Sequence, residues 1–130
     1  MPKELPHITA AELDIMKLLW ELGSGTVRQV LEAFDGDDAE RPAYTTVMTM
    51  MKQLAEKGAL DVDCERQPFV YTPAVRRDQV LRQRATQFLK TVFDGHVEDL
   101  VLHLVEEADL STADIRRIEA KIRKREKTKK

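Results

Sequence analysis

The chain has 130 residues, 42% hydrophobic and 34% charged, with a formal net charge of −2 and a single cysteine. That length suits one domain or a small domain with an appendage, and that balance excludes a disordered chain. No apolar run approaches the roughly 20 residues of a membrane span, "MPKELPHIT" lacks the layout of a secretory leader, and Cys64 alone closes no internal disulfide, so a cytoplasmic chain without membrane insertion is expected.

In chain order, "TAAELDIMKLLWELG" opens with Thr9 as N-cap and Glu12 three residues on, the spacing of a capping box. Leu13, Met16, Leu19 and Trp20 make the apolar stripe of a first helix, and Gly23 ends it. "TVRQVLEAF" predicts a shorter second helix, capped by Thr26, with Val27, Val30, Leu31 and Phe34 inward. "DGDDAE" (Asp35 to Glu40) reads as a polar loop, and Arg41-Pro42 lead into a third helix.

The third helix, "AYTTVMTMMKQLAEKG", is unusual in its hydroxyls, since threonine is a mediocre helix former. Val47, Met50, Met51 and Leu54 fall on one apolar stripe. Opposite lie Thr45, Thr49 and Lys52, flanked by Thr46 and Met48. Hydroxyls and methyls so placed suit the major groove, where they meet base edges and thymine methyls. The plain alternative is an ordinary solvated helix face.

After Gly58 the apolar period shifts to alternation. Leu60 to Cys64 and Phe69 to Pro73 read as a β-hairpin with "ERQP" at its tip. Cys64, in phase with Leu60 and Val62, is expected to be a small buried residue rather than a reactive thiol. Three helices followed by a hairpin make a winged helix-turn-helix, whose third helix reads a groove while the hairpin leans on the backbone. Thr45, Thr46, Met48 and Thr49 are the candidate base contacts. Arg41, Tyr44 and Lys52 are the candidate phosphate contacts, with Arg66 on the wing. For Tyr44 the competing reading is packing against the first helix, and for Arg66 a solvated turn.

Residues 74–130 read as three amphipathic helices. Leu81, Ala85, Phe88, Leu89 and Val92 stripe the first, which Asp94-Gly95 breaks. Val97, Leu100, Val101, Leu104, Val105 and Ala108 stripe the second. Ser111 caps the third, with Asp114 at the box position and Ile115, Ile118 and Ile122 inward, before "RKREKTKK" frays as a basic tail. A segment of about 57 residues is marginal as a lone core, and Leu102 lies almost opposite its helix's stripe. Apolar surface on two sides calls for a partner chain, most commonly in a symmetric dimer. Leu89, Leu100, Leu102 and Leu104 are the candidate dimerisation residues. The expected fold is therefore mostly α, with a winged-helix DNA-binding domain over 1–73 and a helical dimerisation region over 74–130.

Charge is unevenly placed. Residues 1–73 carry 7 Lys/Arg against 13 Asp/Glu, and residues 74–130 carry 14 against 10. An acidic N-terminal half counts against DNA, because phosphate neutralisation supplies most non-specific affinity. It favours the alternative of a helical protein-protein interaction module; a ligand-responsive regulator is a third possibility. The five glycines are scattered rather than grouped in a phosphate-cradling loop, and His7, His96 and His103 stand far from Cys64. No enzyme, metal site or cofactor is expected.

"ITAAELDIMKLLWELGSGTVRQVLEAF", "AYTTVMTMMKQLAEKGAL" and a hairpin ending "FVYTPAV" together resemble the penicillinase repressors and the related methicillin-resistance repressors, over residues 8 to about 110. The resemblance implies a homodimeric winged-helix repressor of a palindromic double-stranded DNA operator. It further implies release by cleavage in the dimerisation region, triggered by a membrane metalloprotease sensor that responds to β-lactams. In the well-known members the cleaved bond is Asn-Phe, where this chain has His103-Leu104. Some members carry a basic residue where Met48 stands, so any reading at that point would be apolar here.

Overall fold

The computed structural model describes residues 5–36 and 40–128. Among these, the elements run α1 (Ala10–Leu22), α2 (Val27–Ala33), α3 (Tyr44–Glu56), β1 (Leu60–Asp63), β2 (Val70–Pro73), α4 (Arg77–Val92), α5 (Val97–Glu107) and α6 (Thr112–Thr128). The fold is mostly α, with three helices and a two-stranded antiparallel wing ahead of three further helices. The chain divides into two compact units, Met1–Gln83 and Arg84–Lys130. The first unit takes in the start of α4, where Val80 is fully buried.

In the first unit, helix starts are fixed by side chains. The Thr9 hydroxyl accepts from the Glu12 amide (3.2 Å) while the Glu12 carboxylate accepts from the Thr9 amide (3.0 Å). Thr26 and Gln29 repeat this reciprocal box at the start of α2, at 3.2 and 2.8 Å. Each box satisfies two amides that the helix itself leaves without partners. By contrast α3 starts at Ala43 without a side-chain cap, and its hold comes from packing.

Ile15, Met16 and Leu19 of α1, Val30 of α2 and Val47, Met51 and Leu54 of α3 are fully buried together. The buried face of α1 is centred slightly off the stripe expected from sequence: Ile15 lies inside, and Leu13 and Trp20 are half-buried. Trp20 stays at the rim because its indole N–H has a partner there, the Val75 carbonyl at 3.0 Å. Gly58 ends α3 with φ +87°, and the Ala59 amide then returns to the Leu54 carbonyl at 2.9 Å, turning the chain into β1.

In the wing, Leu60 pairs with Pro73, Asp61 with Thr72, Val62 with Tyr71 and Asp63 with Val70. Gly25, between α1 and α2, adds a bridge to Tyr71 through two backbone hydrogen bonds of 2.9 and 2.8 Å. Tyr71 is thereby clamped from both sides and buried. Cys64 corrects the sequence expectation: it is exposed, just past the end of β1. The alternation is real, but the distal hairpin projects beyond the core, and of β1 only Leu60 is buried.

In the second unit, Phe93 lies between Phe88 and His103, with ring centroids 5.8 and 5.4 Å away. Ser111 and Asp114 form the expected capping box of α6, at 3.0 and 3.1 Å, and Arg117 pairs with Asp114. The segment expected to fray stays helical through Thr128, while Lys129 and Lys130 lie outside the described residues. No residue of α5 or α6 is buried. The stripes expected to point inward, Val97, Val101 and Leu104 on α5 and Ile115, Ile118 and Ile122 on α6, are exposed in the single chain. Leu89 and Leu100 are half-buried, and Leu102 is 61% exposed.

Candidate nucleic-acid interface

The helix that sequence singled out, α3, is held from behind by Val47, Met51 and Leu54, all fully buried. Rigidity here comes from packing across three helices rather than from propensity, which threonine-rich helices lack. The opposite surface divides into two ridges. Thr45, Thr46 and Thr49 are exposed and point away from the core. Tyr44, Met48 and Lys52, spaced four apart, turn toward the wing and line a cleft with it.

That cleft measures about 490 Å³ and is bounded by α2, α3 and the wing. Val27, Arg28, Gln29 and Glu32 of α2 form one wall, and Gln67, Pro68, Phe69 and Tyr71 another. The Arg28 guanidinium lies over the Tyr44 ring, 5.8 Å from its centroid, within cation–π range. Tyr44 thereby rests against Arg28 of α2 and remains 43% exposed. Burial pushes the Tyr71 phenol above its ordinary value of 10.0, with Cys64 and Tyr44 adding to the shift, so its hydroxyl stays protonated in the physiological range.

The other candidate contacts fare differently. Arg41 is half-buried and its Nε donates to the Phe34 carbonyl at 3.1 Å, tying the segment before α3 to the end of α2. Arg66 stands exposed at the wing tip, with neighbouring Gln67-Pro68 joined by a cis peptide. Residues 37–39 of the acidic loop lie outside the described residues.

Sequence reasoning missed Arg28. It occupies an exposed position on α2 beside the inward Val27 and Val30, a signal present in the helical pattern but without meaning until α3 is placed beside it. It also missed the support beneath the site. Lys57, just after α3, reaches the buried Glu12 carboxylate at 2.6 Å and the His7 carbonyl at 3.0 Å. Burial alone would raise the Glu12 carboxyl, but the Lys57 and Thr9 hydrogen bonds and the Lys57 charge outweigh it and hold the group below its ordinary value of 4.5.

This chain matches the penicillinase repressor family over residues 8–124. It is 31% identical to the penicillinase repressor of Bacillus licheniformis over 113 residues, 87% of each chain. It is 25% identical to the methicillin resistance regulatory protein MecI of Staphylococcus aureus (strain N315) over 115 residues, covering 88% of this chain and 92% of that one. Among solved structures, the Bacillus licheniformis BlaI monomer in complex with the blaP half-operator aligns with a TM-score of 0.48 at 32% identity, over 59% of this chain and 92% of that one. With a family match that spans most of its length, the chain belongs to the penicillinase repressors, a family of transcriptional repressors rather than of enzymes.

Proposed function

We propose that this protein grips a palindromic operator as a homodimer, with Thr45, Thr46, Met48 and Thr49 at base edges and Arg41, Tyr44, Lys52 and Arg66 along the phosphates. Family membership makes it a DNA-binding repressor. The observation that carries it is the threonine ridge of α3, exposed on a helix whose opposite face is fully buried. A helix so held presents fixed hydroxyls and methyls, which is what base-edge readout requires. The net acidity of residues 1–73 is answered by placement: Arg28, Lys52 and Arg66 stand on or beside this face.

The dimer rests on the second unit. Val97, Val101, Leu104, Ile115, Ile118 and Ile122 leave apolar surface open along α5 and α6. A second copy would cover it, with Leu89, Leu100, Leu102 and Leu104 in or beside the seam. Two linked reading heads gain roughly 10²–10⁴ in affinity over one, through effective concentration.

Release follows from the same arrangement. A membrane metalloprotease sensor, answering a β-lactam or related envelope signal, would cut within α5 at or near His103-Leu104. Both residues are exposed and mid-helix, so α5 must unwind to enter a protease. Within the single chain α5 has no buried residue, so little packing inside the protomer opposes that unwinding. Selection of bound duplexes from a random pool should return a sequence with two-fold symmetry. An asymmetric or absent consensus would sink the operator reading, and derepression with the 130-residue chain still whole by mass would sink the proteolytic one.

A further inference from the structure

We infer that the cleft between α2, α3 and the wing is a binding site for a small, flat aromatic carboxylate, whose occupation excludes DNA from the same face. Its volume of about 490 Å³ falls within the roughly 300–1,000 Å³ of small-molecule sites. Its lining pairs two exposed aromatic rings, Tyr44 and Phe69, with the Met48 thioether and Pro68. Such walls favour a flat, polarisable occupant over a flexible aliphatic one.

Charge sets the sign of the occupant. Residues 1–73 are net acidic, yet Arg28 and Lys52, two of their seven Lys/Arg, line this one cleft, against the single acid Glu32. Lys52 has no ion pair among the described residues. The lining is thus one positive charge in excess, which one carboxylate matches. A DNA phosphate could use the same cations, but it has no ring to lay against Tyr44 and Phe69. Tyr44, Met48 and Lys52 are also assigned to DNA above, so both partners cannot use them at once. This exclusion rests on that assignment, whereas ligand binding does not.

The test is a titration of the full chain, free of DNA, with 2-naphthoate, followed through the methionine methyl resonances. Met48 should shift saturably while the core residues Met16 and Met51 stay in place. Phe69→Ala should weaken binding about tenfold, the loss of one ring's contact. Glu32→Gln should tighten it a few-fold by removing the like charge. Because these two variants move in opposite directions, a loss of fold cannot imitate the pair. Uncharged 2-naphthol should bind several-fold more weakly than the carboxylate. No saturable Met48 shift, or dimethyl phosphate binding as well as naphthoate, overturns the inference; the second result makes the cleft a phosphate seat. With operator bound, naphthoate should displace it competitively, and displacement without competition for the cleft variants would overturn the exclusion. Should the chain fail to bind any operator, the DNA assignment falls and the naphthoate titration still decides the site.

Discussion

Thr49 and Lys52 sit one turn apart on α3 and are expected to fail differently when removed. Thr49→Ala should relax base preference at one or two positions, at roughly 1–3 kcal/mol each, with little change on random DNA. Lys52→Ala should weaken operator and random DNA alike and reduce the slope of log affinity against log salt by about 0.9. Binding measured on both duplexes at several salt concentrations separates the two, and equal losses for Thr49→Ala would remove it from the base-reading set. Glu12 and Lys57 act below that surface. Glu12 ionises at lower pH when folded than when unfolded, so the pair's contribution is complete above its ordinary value of 4.5 and drains as pH falls through the lower folded value. Lys57→Met should cost about 1–3 kcal/mol at neutral pH by stranding a buried carboxylate, with Lys57's partial exposure limiting the figure. Urea denaturation at pH 7 and at pH 3 checks the sign: the difference between parent and variant should shrink at the lower pH.

At the scale of elements, the first turns of α4 belong to the winged helix. Val80 is fully buried in the first unit and Trp20 donates to the Val75 carbonyl, so the chain after the wing closes the core instead of leaving it. Val80→Ala should destabilise that unit by about 1.5–3 kcal/mol. A fragment ending at residue 92 should accordingly unfold at higher urea than one ending at residue 73. Equal midpoints for the two fragments would show that α4 contributes nothing to the core. The wing is the opposite case. Beyond Leu60 the side chains of β1 are exposed, and the wing's position depends on the Gly25–Tyr71 backbone bridge and the burial of Tyr71.

For the whole molecule, self-association is the governing expectation. Leu104 is 46% exposed in the single chain, and covering the remainder would contribute about 1 kcal/mol. It would enter a two-fold interface twice, so Leu104→Ala should weaken the dimer about 30-fold. Sedimentation equilibrium should show a dimer at tens of micromolar for the parent and a concentration-dependent mixture for the variant. A parent that sediments as a monomer would remove both the dimer and the release mechanism built on it.

Sequence by itself determined the order of elements, the capping boxes at Thr9 and Ser111, the ends at Gly23 and Gly58, and the threonine ridge of α3, because each is a local pattern within one or two helical turns. It also carried the family. Tertiary structure decided what depends on residues distant in the chain: the pairing of Glu12 with Lys57 across 45 positions, Arg28 over Tyr44, and the cleft that Met48 and Lys52 share with the wing. It overturned the burial expected for Cys64, since alternation reports which face a strand offers but not whether anything lies against it. The same holds for the isoleucines of α6: their spacing marks an apolar face, and only the folded chain shows that the face stays about half open.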